Sequence, residues 1–532
     1  MIEWAEKFFA KIETTRRERV DQSAPIIDNT ETLLKNFHPD YAGRQRRIRF
    51  GPNAQGCYFP LELADLLEAD SPLPDTYYPK VDIETDVLII GGGGAGTTAA
   101  LELEDSGLMV HLASKLRLGD SNTIMAEGGI QAALGKEDSP RRHFADAFVG
   151  GHGKNDPGLL RLLCEAGPNA IRWLVEKGCM FDQNSNGTFR LRVGGGTSVP
   201  RVLACRDYTG LEIMRVLRDA LRLGKTQVLE KQSAVELLDD GYGNVSGAVL
   251  WNSETKKLTA ISSRAVFLAT GGSGQMRLQG FSTSNHFGST GDGLPLVYRQ
   301  GCFLMNLESY QYHPSGACYP DALAGQLLTE GIRAIGAQIL NLDGERFVNE
   351  LTYRDVVASA IIRECEQGRG VSTPLGLKGV WLDTPLIDLI HGEGTVKSQF
   401  PGLMHRFERY GIRPDRHPLL IYPTLHYQNG GVRVDGEGRT ERPGLWAAGE
   451  VSGGLHGTNR LMGNSLLDII VFARRAAESI CNDLPERKPV GLSALKKFRA
   501  ERRKFDDLPS KTSPQLYPTA SKMKIELLEN TK

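Results

Sequence analysis

The sequence contains no C-x-x-C pair, no uninterrupted apolar run near the ~18 residues that would span a bilayer, and almost no net charge. Each absence excludes something. Eight cysteines (Cys57, Cys164, Cys179, Cys205, Cys302, Cys318, Cys365 and Cys481) are scattered singly along 532 residues. That pattern gives no disulfide framework, argues against a zinc or iron–sulfur site within the chain, and fits a reducing cytoplasm. A formal net charge of −1 gives no electrostatic reason to expect nucleic acid or an anionic membrane as partner. The opening segment, MIEWAEKFFAKIETTRRERV, carries its acidic residues early and its basic residues late, the wrong order for a secretory signal. The expected location is the cytoplasm, without direct membrane insertion. There is no internal repeat and no low-complexity tract.

What is present is length and glycine. At 532 residues and 58.4 kDa the chain exceeds one ordinary core, so two or three domains are expected. Its 60 glycines predict many tight turns and close backbone approaches. Ile2, Ala5, Phe8, Phe9 and Ile12 recur at helical spacing, which predicts an amphipathic helix, packed on its own protein or offered to a partner. The stretch SPLPDTYYPK, Ser71 to Lys80, with three prolines, predicts an extended linker that closes an N-terminal extension over 1–80.

After it, TDVLIIGGGGAGTTAALELEDSG predicts a short buried strand, a glycine turn and a helix of small residues. Two further strand-and-glycine turns follow, RAVFLATGGSG (Arg264 to Gly274) and GLWAAGEVSGG (Gly444 to Gly454). This rhythm predicts an α/β sheet domain assembled from 81–316 and 423–485. Residues 317–422 lack such turns and are expected to form an inserted α+β domain that covers the first. The basic stretch LKKFRAERRKFDDLPSK lies in the remaining tail, 486–532, expected to be short and helical with its charges in solvent.

Gly91, Gly93 and Gly96 form G-x-G-x-x-G between the predicted strand and helix. There the glycines let backbone and helix N-terminus approach a pyrophosphate. The acidic residue that would bind a ribose about 20 residues later is not evident, because the second strand, LMVHLASK, ends in Ser114 and Lys115.

Ten segments occur in one order: VLIIGGGGAG, SKLRLGDSNTIMAEGGIQAALG, ATGGSG, STGDG, QYHPSG, TEGIR, RDVVASAI, HYQNGGV, GLWAAGE and HGTNRLMGNSLLD. In this order they resemble the flavoprotein subunits of the succinate dehydrogenase and fumarate reductase family, which also contains L-aspartate oxidase, over about residues 85–482. The resemblance implies a Rossmann-like FAD-binding domain with an inserted capping domain and the active site at their junction. It further implies a dicarboxylate substrate and, as partner, an iron–sulfur electron-transfer subunit.

Carried over motif by motif, the FAD contacts are Gly91, Gly93, Gly96, Ser114, Lys115, Ser121, Asn122, Thr123, Gly128, Gly129, Asp292, Glu450, Ser465 and Leu466. Glu450 would accept from the ribityl hydroxyls. In the membrane-bound members a histidine at the position of Asn122 carries the flavin covalently; asparagine has no nucleophilic ring nitrogen, so noncovalent FAD is expected.

Standing alone, His456 would be a surface or capping histidine and Arg460 a solvated charge. By resemblance Arg460 clamps a substrate carboxylate, where a planar guanidinium donates two parallel bonds. His313 and His426 match the two carboxylate-binding histidines, and Thr329 adds a hydroxyl. Arg354 matches the family's proton donor, with Glu330 and Arg333 as the relay that reprotonates it. An acid must stand opposite the flavin, because hydride arriving at one carbon of an activated double bond leaves carbanion character on its neighbour.

Three functions stay open: a fumarate reductase or succinate dehydrogenase subunit, L-aspartate oxidase, and an electron-transfer flavoprotein with a vestigial pocket. The intact His313, His426, Arg354 and Arg460 speak against the last. Met125 and Met462 stand where the family has small residues, which points to a reshaped pocket and a substrate larger than fumarate.

Overall fold

The computed structural model describes residues 3–41 and 43–517. The chain enters through helices α1 (Glu6–Arg19), α2 (Thr30–Phe37) and α3 (Leu61–Glu68) and then builds a seven-stranded sheet. In chain order this sheet comprises β1 (Val81–Ile90), helix α4 (Gly94–Leu103), β2 (Val110–Ser114) and helix α5 (Pro140–Gly150). It continues with β3 (Gln227–Glu230), β4 (Gln232–Asp239), β5 (Val245–Asn252) and β6 (Leu258–Leu268). The spatial order is β3-β2-β1-β6-β5-β4, with β1, β2, β3 and β6 parallel and β4–β5–β6 antiparallel.

Val87 to Ile90 are all buried, as a central parallel strand requires. Val87 and Ile89 pack with α4, whereas Leu88 and Ile90 face Ile48, Phe50, Phe59 and Leu63 of the N-terminal segment. The extension therefore supplies part of the core beneath the sheet.

A second sheet contains β7 (Tyr310–Ala317) and β8 (Gln338–Leu340). Helix α6 (Arg354–Glu366) packs against it, and β9 (Lys378–Asp383) and β10 (Leu419–Gln428) complete it in the order β7-β10-β9-β8, all antiparallel. A short Val371–Ser372 strand pairs β9. The chain returns to the first sheet as β11 (Leu445–Ala447), parallel to the end of β6, and continues into α7 (Asn464–Asn482) and α8 (Ser493–Arg502).

The amphipathic N-terminal helix is present and packs on the second sheet: Trp4, Phe8 and Phe9 lie 6.1, 6.0 and 5.2 Å from Trp381, centroid to centroid. Arg19 Nη2 donates to the buried Asp383 at 2.7 Å. Ile2, the first residue of that pattern, lies outside the described residues, as do residues 518–532 of the tail. The tail's charges are not all solvated: Arg499 is 9% exposed and donates to Asp70 and Asp75, each at 2.8 Å. It thereby pins the proline-rich segment to α8. Among the described residues no helix is long and apolar enough to cross a membrane.

Candidate active site

A cleft of about 1360 Å³, including its open mouth, runs from the glycine turn after β1 to His426 and Arg460. Gly91 has φ 122°, and a Cβ there would lie 2.1 Å from Ala269 O, so only glycine permits this turn to close on the neighbouring strand. A Cβ at Gly96 would meet Gly91 O at 1.8 Å; that glycine lets α4 sit against its own strand and does not line the cleft. Helix α4 opens at Gly93, which has no side chain to cap it; Gly94 N donates to Thr123 Oγ1 at 3.2 Å, and the helix N-terminal dipole points toward the cleft.

Of the residues expected to touch FAD, Gly91, Gly93, Ser114, Lys115, Ser121, Asn122, Thr123, Asp292, Glu450, Ser465 and Leu466 line this cleft. Lys115 and Asp292 are paired with each other at 2.6 Å, and the lysine also reaches Thr290 Oγ1 and Gly288 O, both at 2.7 Å. Asn122 Nδ2 donates to Asn285 Oδ1 at 2.7 Å and to Glu450 Oε2 at 3.2 Å, and its oxygen accepts from His286 N at 2.6 Å. Burial raises the Glu450 carboxyl, partly offset by the Gln428 N–H at 3.0 Å. Gly129 instead packs on Leu203 O, and Gly128 faces Met462 and Thr329; both lie outside the cleft lining. A glycine cradle, a helix N-terminus and a buried acceptor carboxylate suit a dinucleotide's phosphates and hydroxyls.

Beyond the cleft's inner end is a buried polar cluster. Arg354, first residue of α6, donates from Nε to Glu330 Oε2 at 2.8 Å and from Nη1 to Gln311 Oε1 at 2.8 Å. Arg333 reaches the same Glu330 oxygen at 3.2 Å, and Gly195 N donates to Oε1 at 2.8 Å. Burial would raise the Glu330 carboxyl, but Arg354 and Arg333 outweigh it and hold it down at about 2. Arg333 is further fixed by Ser315 Oγ and Glu350 O. Arg354, Glu330 and Arg333 thus form a continuous chain.

His313 and His426 stand with ring centroids 5.1 Å apart. Burial first, then Arg354, pushes both well below the ordinary imidazole value, so both are neutral near pH 7. His313 Nδ1 accepts from Ser315 N at 3.2 Å, which leaves the Nε2–H as its donor. His426 Nδ1 lies 2.8 Å from Ser284 Oγ. Thr329 is buried beside them and its Oγ1 accepts from Gly331 N at 3.3 Å.

Arg460 is 3% exposed, with its guanidinium 4.2 Å over the Tyr427 ring. Burial, reinforced by Arg354, lowers it to about 10, and its Nε has no partner. His456 does not join it: its Nε2 is 3.5 Å from Asp468 Oδ2 and its ring packs on Tyr427. Neither residue is at the surface, as each would be standing alone.

Residues 86–466 match a family described as FAD binding domain. The chain belongs to this FAD-binding family. L-aspartate oxidase of Streptomyces coelicolor is 38% identical over 416 residues, 76% of this chain and 69% of that protein. A fumarate reductase (CoM/CoB) chain of Methanothermobacter marburgensis is 37% identical over 406 residues, 74% of this chain and 72% of its own. Among solved structures, the FrdA chain of E. coli quinol fumarate reductase superposes with a TM-score of 0.71 at 29% identity, covering 79% of this chain and 74% of that one. The Mycobacterium smegmatis Sdh1 complex gives a TM-score of 0.64 at 36% identity, with 78% and 71% covered. The protein is an FAD-dependent oxidoreductase.

Gln311 and Glu127 lie within the ten ordered segments, but the sequence alone assigns a role to neither. Gln311 joins Arg354 to Arg460, and it precedes His313 by two residues on β7, the spacing that places strand neighbours on one face. Glu127 pairs with Arg406 of the second-sheet layer and is raised to about 7 by burial, against Arg406's pull. Met462 is 4% exposed, and its Sδ lies 3.2 Å from where a Cβ at Gly128 would stand. It fills space beside Thr329. Met125, 42% exposed, is at the cleft mouth.

Proposed function

We propose that the chain is the flavoprotein subunit of a fumarate reductase or succinate dehydrogenase-like enzyme acting on a fumarate-like dicarboxylate, with noncovalent FAD and an iron–sulfur protein as electron partner. The observation that carries this reading is the charge of the buried cluster. Three guanidiniums, Arg333, Arg354 and Arg460, face one carboxylate, Glu330, between two neutral histidines. An excess of buried guanidiniums is costly unless an anion joins them, and a dicarboxylate brings two negative charges.

In this reading Arg460, whose Nε lacks a partner, receives one carboxylate together with His426, while the His313 Nε2–H and Thr329 hold the other. Bound in the cleft, FAD supplies or accepts the hydride. Arg354 presents a guanidinium proton to the carbon next to the one that gains hydride. Its departure leaves a neutral guanidine, which takes a proton back from the Arg333 guanidinium by way of the Glu330 carboxylate between them, and Arg333 in turn regains its proton from solvent between turnovers. Glu330, held at about 2, stays ionised and keeps the donor charged between turnovers. The closed protein around these groups excludes water, strengthening each contact.

The Streptomyces relative makes L-aspartate oxidation the second reading. That substrate carries an ammonium that needs an acceptor, and Glu330 and Glu127 are each already committed to arginines. The discriminating experiment reduces the purified flavoprotein anaerobically and adds fumarate, maleate or substituted fumarates; rapid reoxidation is expected. In parallel, oxidised protein receives L-aspartate and oxygen. Iminoaspartate formation would favour the oxidase. Failure of every alkene, with success of an unrelated acceptor, would favour an electron-transfer flavoprotein.

A further inference from the structure

We propose that His152 is a positioning residue, a cross-brace that ties the turn supporting Arg460 to the helix that begins with Arg354 and so fixes the spacing of the two guanidiniums. This rests on the reading of both arginines as facing the substrate.

The brace is built at the end of α5. His152 N donates to Val149 O at 3.0 Å and Gly153 N to Phe148 O at 2.9 Å, the paired bonds of a Schellman turn. The position that donates the first of them needs a left-handed backbone and is usually glycine. Here it is His152, with φ 57°. Glycine would close the same turn with less strain, so what the histidine adds is reach. Its Nε2 lies 2.6 Å from Asp355 Oδ2, and its ring stands edge-on to Tyr353 at 6.3 Å. Asp355 follows Arg354 in the first turn of α6, and its other oxygen accepts from Val356 N at 2.9 Å. The imidazole therefore grips the helix at the turn that aims Arg354.

The opposite side of the same turn holds the Arg460 loop. Thr458 N donates to Gly151 O at 3.2 Å, Asn459 Nδ2 to Gly150 O at 3.0 Å, and Asn155 Nδ2 to Leu455 O at 2.9 Å. Contact is close enough that a Cβ at Gly457 would lie 2.3 Å from Gly151 O. Residues 150–155 thus hold the loop of one arginine and reach the helix of the other through His152.

The ionisable groups around the pair come from several elements. Asp355 and Tyr353 face His152 from α6 and the residue before it; His38 and Asp40 approach from the N-terminal segment, with Glu308 beyond them. The hydrogen bond to Asp355 raises the His152 imidazole, against burial, while burial pushes His38 down to about 4. The His152–Asp355 bond therefore stays ionic to a higher pH than a free imidazole would allow and loses its charge as pH rises through that elevated value.

The test uses holoenzyme of His152→Gly, which relieves the backbone strain while removing the reach, and of Asp355→Asn, which keeps an acceptor but not the charge. Hydrogen exchange of the first turn of α6 is followed at pH 6 and 8.5, together with the pH profile of fumarate reduction at matched flavin content. Wild type should lose protection of that turn as pH rises. H152G should be unprotected at both pH values, with kcat lower by about tenfold or more, the scale expected when a catalytic group is misplaced, and no alkaline limb. D355N should move that limb to lower pH. Unchanged protection and an unchanged pH profile in H152G would overturn the brace while leaving the substrate reading intact. The exchange difference without any fumarate turnover in wild type would uphold the brace and reject the substrate.

Discussion

Arg354 and Arg460 donate to the same atom: Gln311 Oε1 accepts from Arg354 Nη1 at 2.8 Å and from Arg460 Nη2 at 3.1 Å. The amide nitrogen of Gln311 is spent on Asn459 Oδ1 and Arg460 O, so its orientation is fixed. A neutral acceptor can hold two cations near each other without cancelling their charge. Gln311→Glu would place a carboxylate there and reduce the cluster's positive charge. We expect the KM for fumarate to rise roughly 10- to 100-fold, the scale of one charge-assisted contact, with flavin content unchanged. An unaltered KM would show that substrate does not reach these arginines.

The two arginines should fail differently. Arg354→Gln removes a proton needed only during reaction, so kcat should fall by about 10²- to 10⁴-fold while an unreactive dicarboxylate still perturbs the flavin spectrum on binding. Arg460→Ala removes a buried carboxylate contact and should weaken that binding by roughly 2–5 kcal/mol. Titration of both variants with succinate, beside steady-state rates, separates the two. Equal and mild effects would contradict the assigned roles.

The parts of the site legible in the sequence sit in short segments that combine glycine with polar residues. The turn around Gly91, the loop carrying Arg460 and the start of α6 each announce themselves locally. Gln311 does not, because β7 is buried along its whole length and nothing in a strand's own sequence says which neighbour a buried amide will meet. The same holds for α1: its apolar spacing predicts a helix, but its docking surface, Trp381 and Asp383, lies more than 360 residues away in the chain. The basic tail reads as solvated because Arg499's acidic partners, Asp70 and Asp75, lie at the other end of the chain. Pairings at such separation are set by tertiary packing, which local periodicity does not encode.

Stability should fall as pH falls below neutrality. His143 and His38 are each lowered to about 4, chiefly by burial. A histidine whose folded value is depressed takes up its proton first in the unfolded chain, so stability is lost as pH drops from the ordinary imidazole value toward 4. By linkage each removes roughly 2 kcal/mol between pH 7 and 5. Glu127, raised to about 7, acts with the opposite sign over the same interval. His143→Gln keeps a donor for Asn464, which His143 Nε2 contacts at 2.8 Å. Denaturant titrations at both pH values should therefore show this variant losing about 2 kcal/mol less than wild type; an equal loss would reject the assignment.

Acid precipitation should release all of the FAD. Asn122, at the position that carries the flavin covalently in the membrane-bound members, spends its amide on Asn285, Glu450 and His286 N. The test is sharper than distance along the chain suggests, since no histidine lies within ten residues of Asn122, yet the fold brings His286 to the same wall of the cleft. Flavin that stays with the precipitate would direct peptide mapping to His286. Without a covalent bond to raise its potential, the reduced flavin is the stronger donor, so fumarate reduction should greatly outpace succinate oxidation in dye-linked assays.

In the proposed reading Met462 limits the space beside Thr329. Its Sδ and Cε lie 3.2 Å from where side chains on Gly128 and Gly194 would begin, and the Gly128 position is in turn 3.9 Å from Thr329 Oγ1. A flexible thioether that fills this corner takes the space a substituent on the alkene would need there. Fumarate itself should be preferred over its 2-methyl derivative. Met462→Ala should narrow that preference by about 10-fold or more in kcat/KM, since one methyl-sized group in an apolar pocket is worth roughly 1–3 kcal/mol. The cavity left behind should cost about 2–5 kcal/mol of stability, which thermal unfolding would register separately. A preference that stays constant while stability falls would place the methionine in the packing of the loop and leave substrate size to other residues.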